Sequence, residues 1–191
     1  EEIKEQIEIW FDAVSYKYPD LEYIDVVNEA CSGHAEYDAD ARAFKSKLIQ
    51  ALGGNSPSYH WIAEAFKMAR KRFPDATLIY NDYNTFQWDT DNIIALVNSI
   101  KRDGAPIDAL GCQSHDLNDM SGTDFKTVLE KCHNQTNLPI FISEYDIDKA
   151  NDNEQLTRYQ EQFPIMWEAD YVAGVTLWGY VFGSTWVDNS G

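Results

Sequence analysis

A chain of 191 residues, 44% of them hydrophobic, can bury one sizeable core and reads most simply as a single domain over residues 1–191. Its 15 Lys and Arg against 32 Asp and Glu leave a formal charge of −17, which excludes the basic surface that nucleic acid or an anionic membrane requires. No apolar run approaches the roughly 20 residues of a bilayer span, and Cys31, Cys112 and Cys132 form no CxxC pair, so there is neither a zinc signature nor a disulfide framework, and buried free thiols are expected ahead of a single bridge.

Residues 1–18 set Ile3, Ile7, Trp10, Phe11 and Val14 at helical spacing, stopped by Pro19-Asp20. The chain thus opens inside a helical pattern with no signal peptide, as it would if a leader or preceding domain had been removed. Leu21 to Val27 reads as a strand ending in Asn28-Glu29-Ala30. A long connection follows, with a short helix around Ala43, Phe44, Lys47 and Leu48 and loop chemistry at Gly53-Gly54-Asn55-Ser56-Pro57. Within it His34, Glu36, Asp38 and Asp40 lack the spacing of a calcium loop and read as a solvated cluster. Ile62, Ala65, Phe66 and Ala69 mark a helix running to Phe73-Pro74, and the strand Ala76–Tyr80 delivers Asn81-Asp82-Tyr83-Asn84.

The pattern then repeats. Ile93, Leu96, Val97 and Ile100 make a helix stopped near Gly104, and the strand Ile107–Gly111 delivers Gln113-Ser114-His115. Phe125, Val128, Leu129 and Cys132 make the next helix, and Leu138-Pro139-Ile140-Phe141-Ile142 delivers Glu144, Asp146 and Asp148. Asn151 with Glu154 forms a capping box for a helix that Pro164 is expected to kink or shorten. Ala173–Leu177 is the last strand, delivering Trp178. Asn134-Gln135-Thr136 is a formal glycosylation sequon.

From Asn81 onward strand ends recur at intervals of about thirty residues, one βα unit each, the first interval is longer because of the inserted loop, and polar or aromatic clusters follow every strand. Apolar strands alternating with helices imply a parallel sheet covered by helices, either an open doubly wound sheet or a (β/α)8 barrel. No glycine-rich phosphate loop follows a strand, which disfavours a nucleotide site. Two carboxylates on strand ends, Glu29 and Glu144, with aromatic neighbours, fit glycoside hydrolysis: one protonates the leaving oxygen while the other attacks carbon or activates water. His115 is a candidate to orient Glu144. Trp178 and Trp186 are candidates to stack on sugar rings, Trp88 a weaker one, and Trp10, Trp61 and Trp167 on helical segments read as core.

Five ordered motifs resemble glycoside hydrolase family 10, the β-1,4-xylanases. They are Asp25-Val26-Val27-Asn28-Glu29-Ala30, Asn81-Asp82-Tyr83-Asn84, Gln113-Ser114-His115, Ile142-Ser143-Glu144-Tyr145-Asp146-Ile147, and Val175-Thr176-Leu177-Trp178-Gly179 followed by Trp186. Ser143 and Tyr145 stand where the family pattern usually has Thr and Leu. The resemblance implies an incomplete (β/α)8 barrel, strands four to eight of it, and a retaining mechanism. It implies Glu29 as acid/base and Glu144 as nucleophile, with Asn28, Tyr83, Asn84, Gln113, His115, Trp178 and Trp186 binding substrate, and neither cofactor nor metal. The expected substrate is xylan, met outside the cell or in the periplasm. A second polypeptide or an N-terminal segment is expected to complete the barrel. An inactive or weakly glycan-binding fragment, or the same mechanism on another β-1,4-glycan, is the alternative reading.

Overall fold

In the computed structural model the described residues are 1–31, 39–55, 58–181 and 183–187, with backbone alone for 39–44. His34, Glu36 and Asp38 of the expected cluster and the turn residues Ser56-Pro57 lie outside them, and Asp40 falls in the stretch described by backbone alone. Helices alternate with strands: α1 Glu2–Lys17, β1 Tyr23–Asn28, α2 Ala39–Ala51, α3 His60–Arg72, β2 Thr77–Asp82, α4 Thr90–Arg102, β3 Ala109–Cys112, a 3-10 turn η1 His115–Leu117, α5 Gly122–Thr136, β4 Ile140–Tyr145, α6 Asp152–Glu168 and β5 Val172–Leu177. The strands hydrogen-bond in chain order, β1-β2-β3-β4-β5. Pairing is parallel between β3 and β4, with Leu110 beside Ile140, and between β4 and β5, with Ile142 beside Val175. Every element expected from periodicity is present. The helix expected to falter at Pro164 runs on to Glu168, and η1 has no forerunner in the sequence pattern because three residues carry no period.

The chain divides into two compact units, Glu1–Tyr80 with Ala95–Asp108, and Asn81–Ile94 with Ala109–Gly191. In the first, α3 buries Trp61, Ile62, Phe66 and Ala69, β2 contributes Leu78 and Tyr80, and α4 contributes Leu96, Val97 and Ile100. Arg70 closes the α3–β2 connection: its guanidinium donates to the carbonyls of Phe73 (3.0 Å), Pro74 (3.0 Å) and Ala76 (2.7 Å) and pairs with Asp108. Asp108 in turn accepts from the Leu78 amide at 2.8 Å. A planar cation thus satisfies the carbonyls that a helix end leaves over.

In the second unit the core joins Leu110 and Cys112 of β3, Ile140, Ile142 and Tyr145 of β4, and Phe125, Leu129 and Cys132 of α5. Helix α5 starts at a Ser121 cap that accepts from the Asp124 amide, and α6 at an Asn151 cap that accepts from the amides of Asn153 and Glu154. The three cysteines are free and buried. In the sequon, the Thr136 hydroxyl is buried and donates to the Cys132 carbonyl within α5.

Two expected core residues are not core. Trp61 is buried, but Trp10 is 68% and Trp167 78% exposed. The apolar face of α1 buries only Phe11, and α6 buries only Gln162 and Met166. Helical periodicity identifies the face that needs cover, not whether its cover lies in the same chain. The strands behave alike: β2 and β3 are buried almost throughout, whereas β1 and β5 keep several exposed positions despite apolar sequences.

Candidate active site

The end of β4 is irregular. Ile142 pairs with Val175 and Tyr145 with Leu177, so β4 advances three residues while β5 advances two. An extra residue of this kind breaks strand alternation and re-aims a side chain. Here it brings the neighbours Ser143 and Glu144 onto one partner. The Ser143 hydroxyl donates to the Asn81 Oδ1 at 2.6 Å, and the Asn81 Nδ2 donates to the Glu144 Oε1 at 3.2 Å. The other oxygen of Glu144 meets His115 Nε2 at 3.2 Å. The Glu144 side chain is only 13% exposed.

His115 opens η1 behind Ser114, whose backbone is left-handed at φ 74°. Its Nδ1 lies 3.0 Å from both oxygens of Asp146, a side chain 4% exposed. Trp186 donates its indole N–H to Asp146 at 2.6 Å and stands edge-on to His115, ring centres 4.9 Å apart. Burial alone would discharge this imidazole, but the hydrogen bonds and negative charge of Asp146 and Glu144 outweigh it and hold its pKa above the ordinary value of 6.5. With a carboxylate on each nitrogen, the imidazolium donates both ways.

The surroundings are built to hold still. Tyr145 is fully buried, and its hydroxyl donates to Gln162 Oε1 at 2.9 Å. Gln162 donates onward to the carbonyls of Leu117 (2.9 Å) and Met120 (2.8 Å), which ties the end of β4 through α6 to the segment bearing His115. Burial pushes the Tyr145 phenol well above its usual pKa, so it stays a neutral donor. After β2, Asp116 Oδ2 accepts from the amides of Phe86 (2.9 Å) and Gln87 (2.8 Å) and so clamps the turn that follows Asn84. The second oxygen of Asp116 is buried with no hydrogen-bond partner among the described residues, and burial raises the pKa of this carboxyl.

Among the other expected residues, Gln113 is 3% exposed just past β3, and its backbone N–H donates to the Asp82 carbonyl at 3.0 Å. Tyr83 is half-buried, with its amide on the Asp82 carboxylate at 2.8 Å. Asn84 has a left-handed backbone, φ 57°, and its side-chain amide reaches Asp89 at 3.5 Å. Trp178 is 45% exposed, and its amide donates to the Tyr145 carbonyl at 3.0 Å. Asn28 and Glu29 belong to the first unit. Asn28 ends β1, and Glu29 follows with φ 56°. Both line a cavity of about 550 Å³ with Trp10, Trp61 and Lys45. Left-handed backbone at a residue other than glycine is costly and gathers at functional sites; Glu29, Asn84 and Ser114 each hold it just past a strand.

The structure thus brings Glu144, His115 and Trp186 together, and adds Asn81, Ser143 and Asp146, to which sequence reasoning gave no role. Asp146 carried a usable signal: it lies two residues past Glu144, so an extended backbone turns both side chains to one face. Asn81 carried none, because its partners lie some sixty positions away. Among the described residues no group of three or more His, Cys, Asp or Glu could hold a metal ion.

Parallel βα units with polar groups gathered at the strand ends are the architecture of a (β/α) barrel of the enzyme-bearing kind. The chain belongs to glycosyl hydrolase family 10, whose model matches residues 1–191. It is 42% identical over 190 residues to endo-1,4-beta-xylanase B of Cellvibrio japonicus, covering 100% of this chain and 29% of that protein. It is 30% identical to an endo-1,4-beta-xylanase of Geobacillus stearothermophilus, covering 86% of this chain and 52% of the relative. Among solved structures, a family 10 protein of Paenibacillus barcinonensis superposes with TM-score 0.79 at 26% identity over 97% of this chain and 58% of its own. A family 10 endoxylanase from a sugarcane soil metagenome gives 0.77 at 26% over 95% and 58%. The chain therefore spans less than two thirds of these relatives, and its fold is an incomplete (β/α)8 barrel.

Proposed function

We propose that this chain carries both catalytic carboxylates of a retaining endo-β-1,4-xylanase. The observation that carries the reading is Glu144, fixed through one oxygen by Asn81 and through the other by His115, in a family 10 chain. In the first step a Glu144 oxygen bonds to the anomeric carbon as the bond to the leaving oxygen breaks. Glu29 gives that oxygen its proton. In the second step the Glu29 carboxylate takes a proton from water. The oxygen of that water bonds to the anomeric carbon, and Glu144 leaves as a carboxylate. Asn28, Tyr83, Asn84 and Gln113 bind sugar hydroxyls, and Trp178 and Trp186 stack on sugar rings.

A polymeric substrate has to be met outside the cytoplasm, so the protein acts as a secreted, cell-surface or periplasmic enzyme. The βα units that the relatives possess beyond this chain, supplied by an N-terminal segment or a second polypeptide, cover α1, β1, α6 and β5.

The test is reducing-sugar release from xylan by the chain with that segment. Glu144→Gln should lower turnover by more than roughly a thousandfold at unchanged folding. Glu29→Ala should spare activated aryl xylosides relative to xylan and recover with azide. Xylan hydrolysis by Glu144→Gln at a rate near that of the parent would sink the assignment.

A second reading, a glycan-binding piece with no turnover, is favoured by the exposed apolar faces of α1 and α6. It predicts binding of xylan without sugar release whether or not the segment is added.

A further inference from the structure

Trp88 is 69% exposed, yet it does not share the situation of Trp10 or Trp167, which stand on apolar faces. It walls a cavity of about 380 Å³ between the start of α4 and the first turns of α5, within the roughly 300–1,000 Å³ of small-molecule sites. The floor is apolar, with Phe86 buried edge-on against Phe125. The rim is polar: Asp91, Asn92, Asp124 and Thr127, with Lys131 paired to Asp91 at 2.6 Å. None of the groups around Glu144 lines this space.

The platform is fixed in advance. The amides of Phe86 and Gln87, immediately before Trp88, are held by the buried Asp116 carboxylate. The Thr90 hydroxyl, just after it, donates to the Thr85 carbonyl at 2.7 Å. With the backbone on both sides of Trp88 held, less freedom is left to lose when something stacks on the indole. An aromatic face beside carboxylate, amide and hydroxyl groups suits a ligand with one flat apolar face and a polar edge, which describes a pyranose ring. Two carboxylates against one already paired ammonium disfavour an acidic sugar and favour a neutral one.

We propose that this cavity is a second glycan site, separate from Glu144, that takes a neutral pyranose of a β-1,4-linked chain with Trp88 as its stacking platform. The choice of glycan rests on the xylanase reading. The site holds polymer without cleaving it and keeps a long chain attached to the protein while hydrolysis proceeds elsewhere.

The test is affinity electrophoresis of the Glu144→Gln chain, which leaves the gel polysaccharide intact, through neutral arabinoxylan, hydroxyethylcellulose, glucuronoxylan or no polymer. Adding Trp88→Ala should weaken retention by a neutral polymer roughly three- to tenfold, with Trp88→Phe in between. Asn92→Ala supplies a rim variant that leaves the indole in place and should also weaken retention. The neutral polymer that retards more identifies the sugar. Equal retention of all variants, no retention of the parent, or a Trp88-dependent preference for the acidic polymer would overturn the proposal. Sugar release by the unmutated chain completed with the N-terminal βα segment keeps the two ideas apart. Hydrolysis with Trp88-independent retention removes only the second site, and Trp88-dependent retention without hydrolysis removes only the xylanase reading.

Discussion

Asn81 and Glu144 meet because Ser143 settles which way the Asn81 amide faces. The Ser143 hydroxyl donates to Oδ1, and this turns Nδ2 toward Glu144 at 3.2 Å. Removing the amide leaves a nearly buried carboxylate with one donor fewer, an effect of about 1.5–3 kcal/mol for a charged hydrogen bond. Asn81→Ala is therefore expected to lower kcat on xylan roughly ten- to a hundredfold. Asn81→Asp, which sets a second negative charge against Glu144, should lower it further. Initial rates alongside a thermal melt check this; kcat equal to the parent's would show that the contact is idle.

His115 makes the site sensitive to pH in a definite direction. Its pKa in the folded chain lies above the ordinary 6.5 because hydrogen bonds and charge from Asp146 and Glu144 outweigh the burial that opposes them. A raised histidine contributes stability that is fully present below about pH 6.5 and is lost as pH climbs through the folded value. The melting temperature of the parent should thus exceed that of His115→Gln most on the acid side and converge with it on the alkaline side. A constant difference across this window would contradict the linkage.

The His115 proton is expected to contribute to the alkaline limb of activity, beside the proton that the acid Glu29 must keep. When His115 loses its proton it can donate to only one of its two carboxylates. Asp146→Asn removes the larger of the favourable contributions, so the alkaline limb of kcat/KM should move to lower pH. Trp186→Phe removes the donor on Asp146 but leaves its charge, so its limb should move less than that of Asp146→Asn. Two variants with superimposable pH profiles would show that charge on Asp146 does not govern His115.

How far these contacts were legible follows from their distance along the chain. Strand ends, helix faces and the order of βα units are local patterns, and the residues just past each strand, from Glu29 to Trp178, could be read directly. Asn81 on Glu144 and Asp116 on the Phe86 and Gln87 amides are made across strands and turns, and no periodicity announces them. Trp10 and Trp167 failed for another reason: helical spacing identifies an apolar face, and none of the described residues covers it.

Gly122 offers a test of packing alone. A Cβ there would stand 2.8 Å from the backbone carbonyl of Glu161, so α5 and α6 approach at the one position where a side chain is lacking. Backbone cannot yield as a flexible side chain would. Gly122→Ala should cost about 1–3 kcal/mol of stability, read by urea denaturation, and a neutral change would show that the helices separate freely.

Trp10 and Trp167 carry the prediction that bears on the whole protein. Both are large, apolar and exposed, and each lines a cavity: Trp10 with Ile7 and Val14, Trp167 with Phe163 and Val172. Fully burying such a side chain stabilises by roughly 2–3 kcal/mol, so these faces should attract either a proper cover or another copy of the chain. The chain by itself should bind a hydrophobic dye and run as larger species in size exclusion. Adding the N-terminal βα segment of a family 10 relative should abolish the dye signal, quench the fluorescence change on exposure of both indoles to iodide, and give a single one-to-one complex. Trp10→Asp and Trp167→Asp should each weaken that complex and reduce self-association of the isolated chain. A chain that is monomeric, dye-silent and indifferent to the added segment would mean that α1 and α6 need no cover.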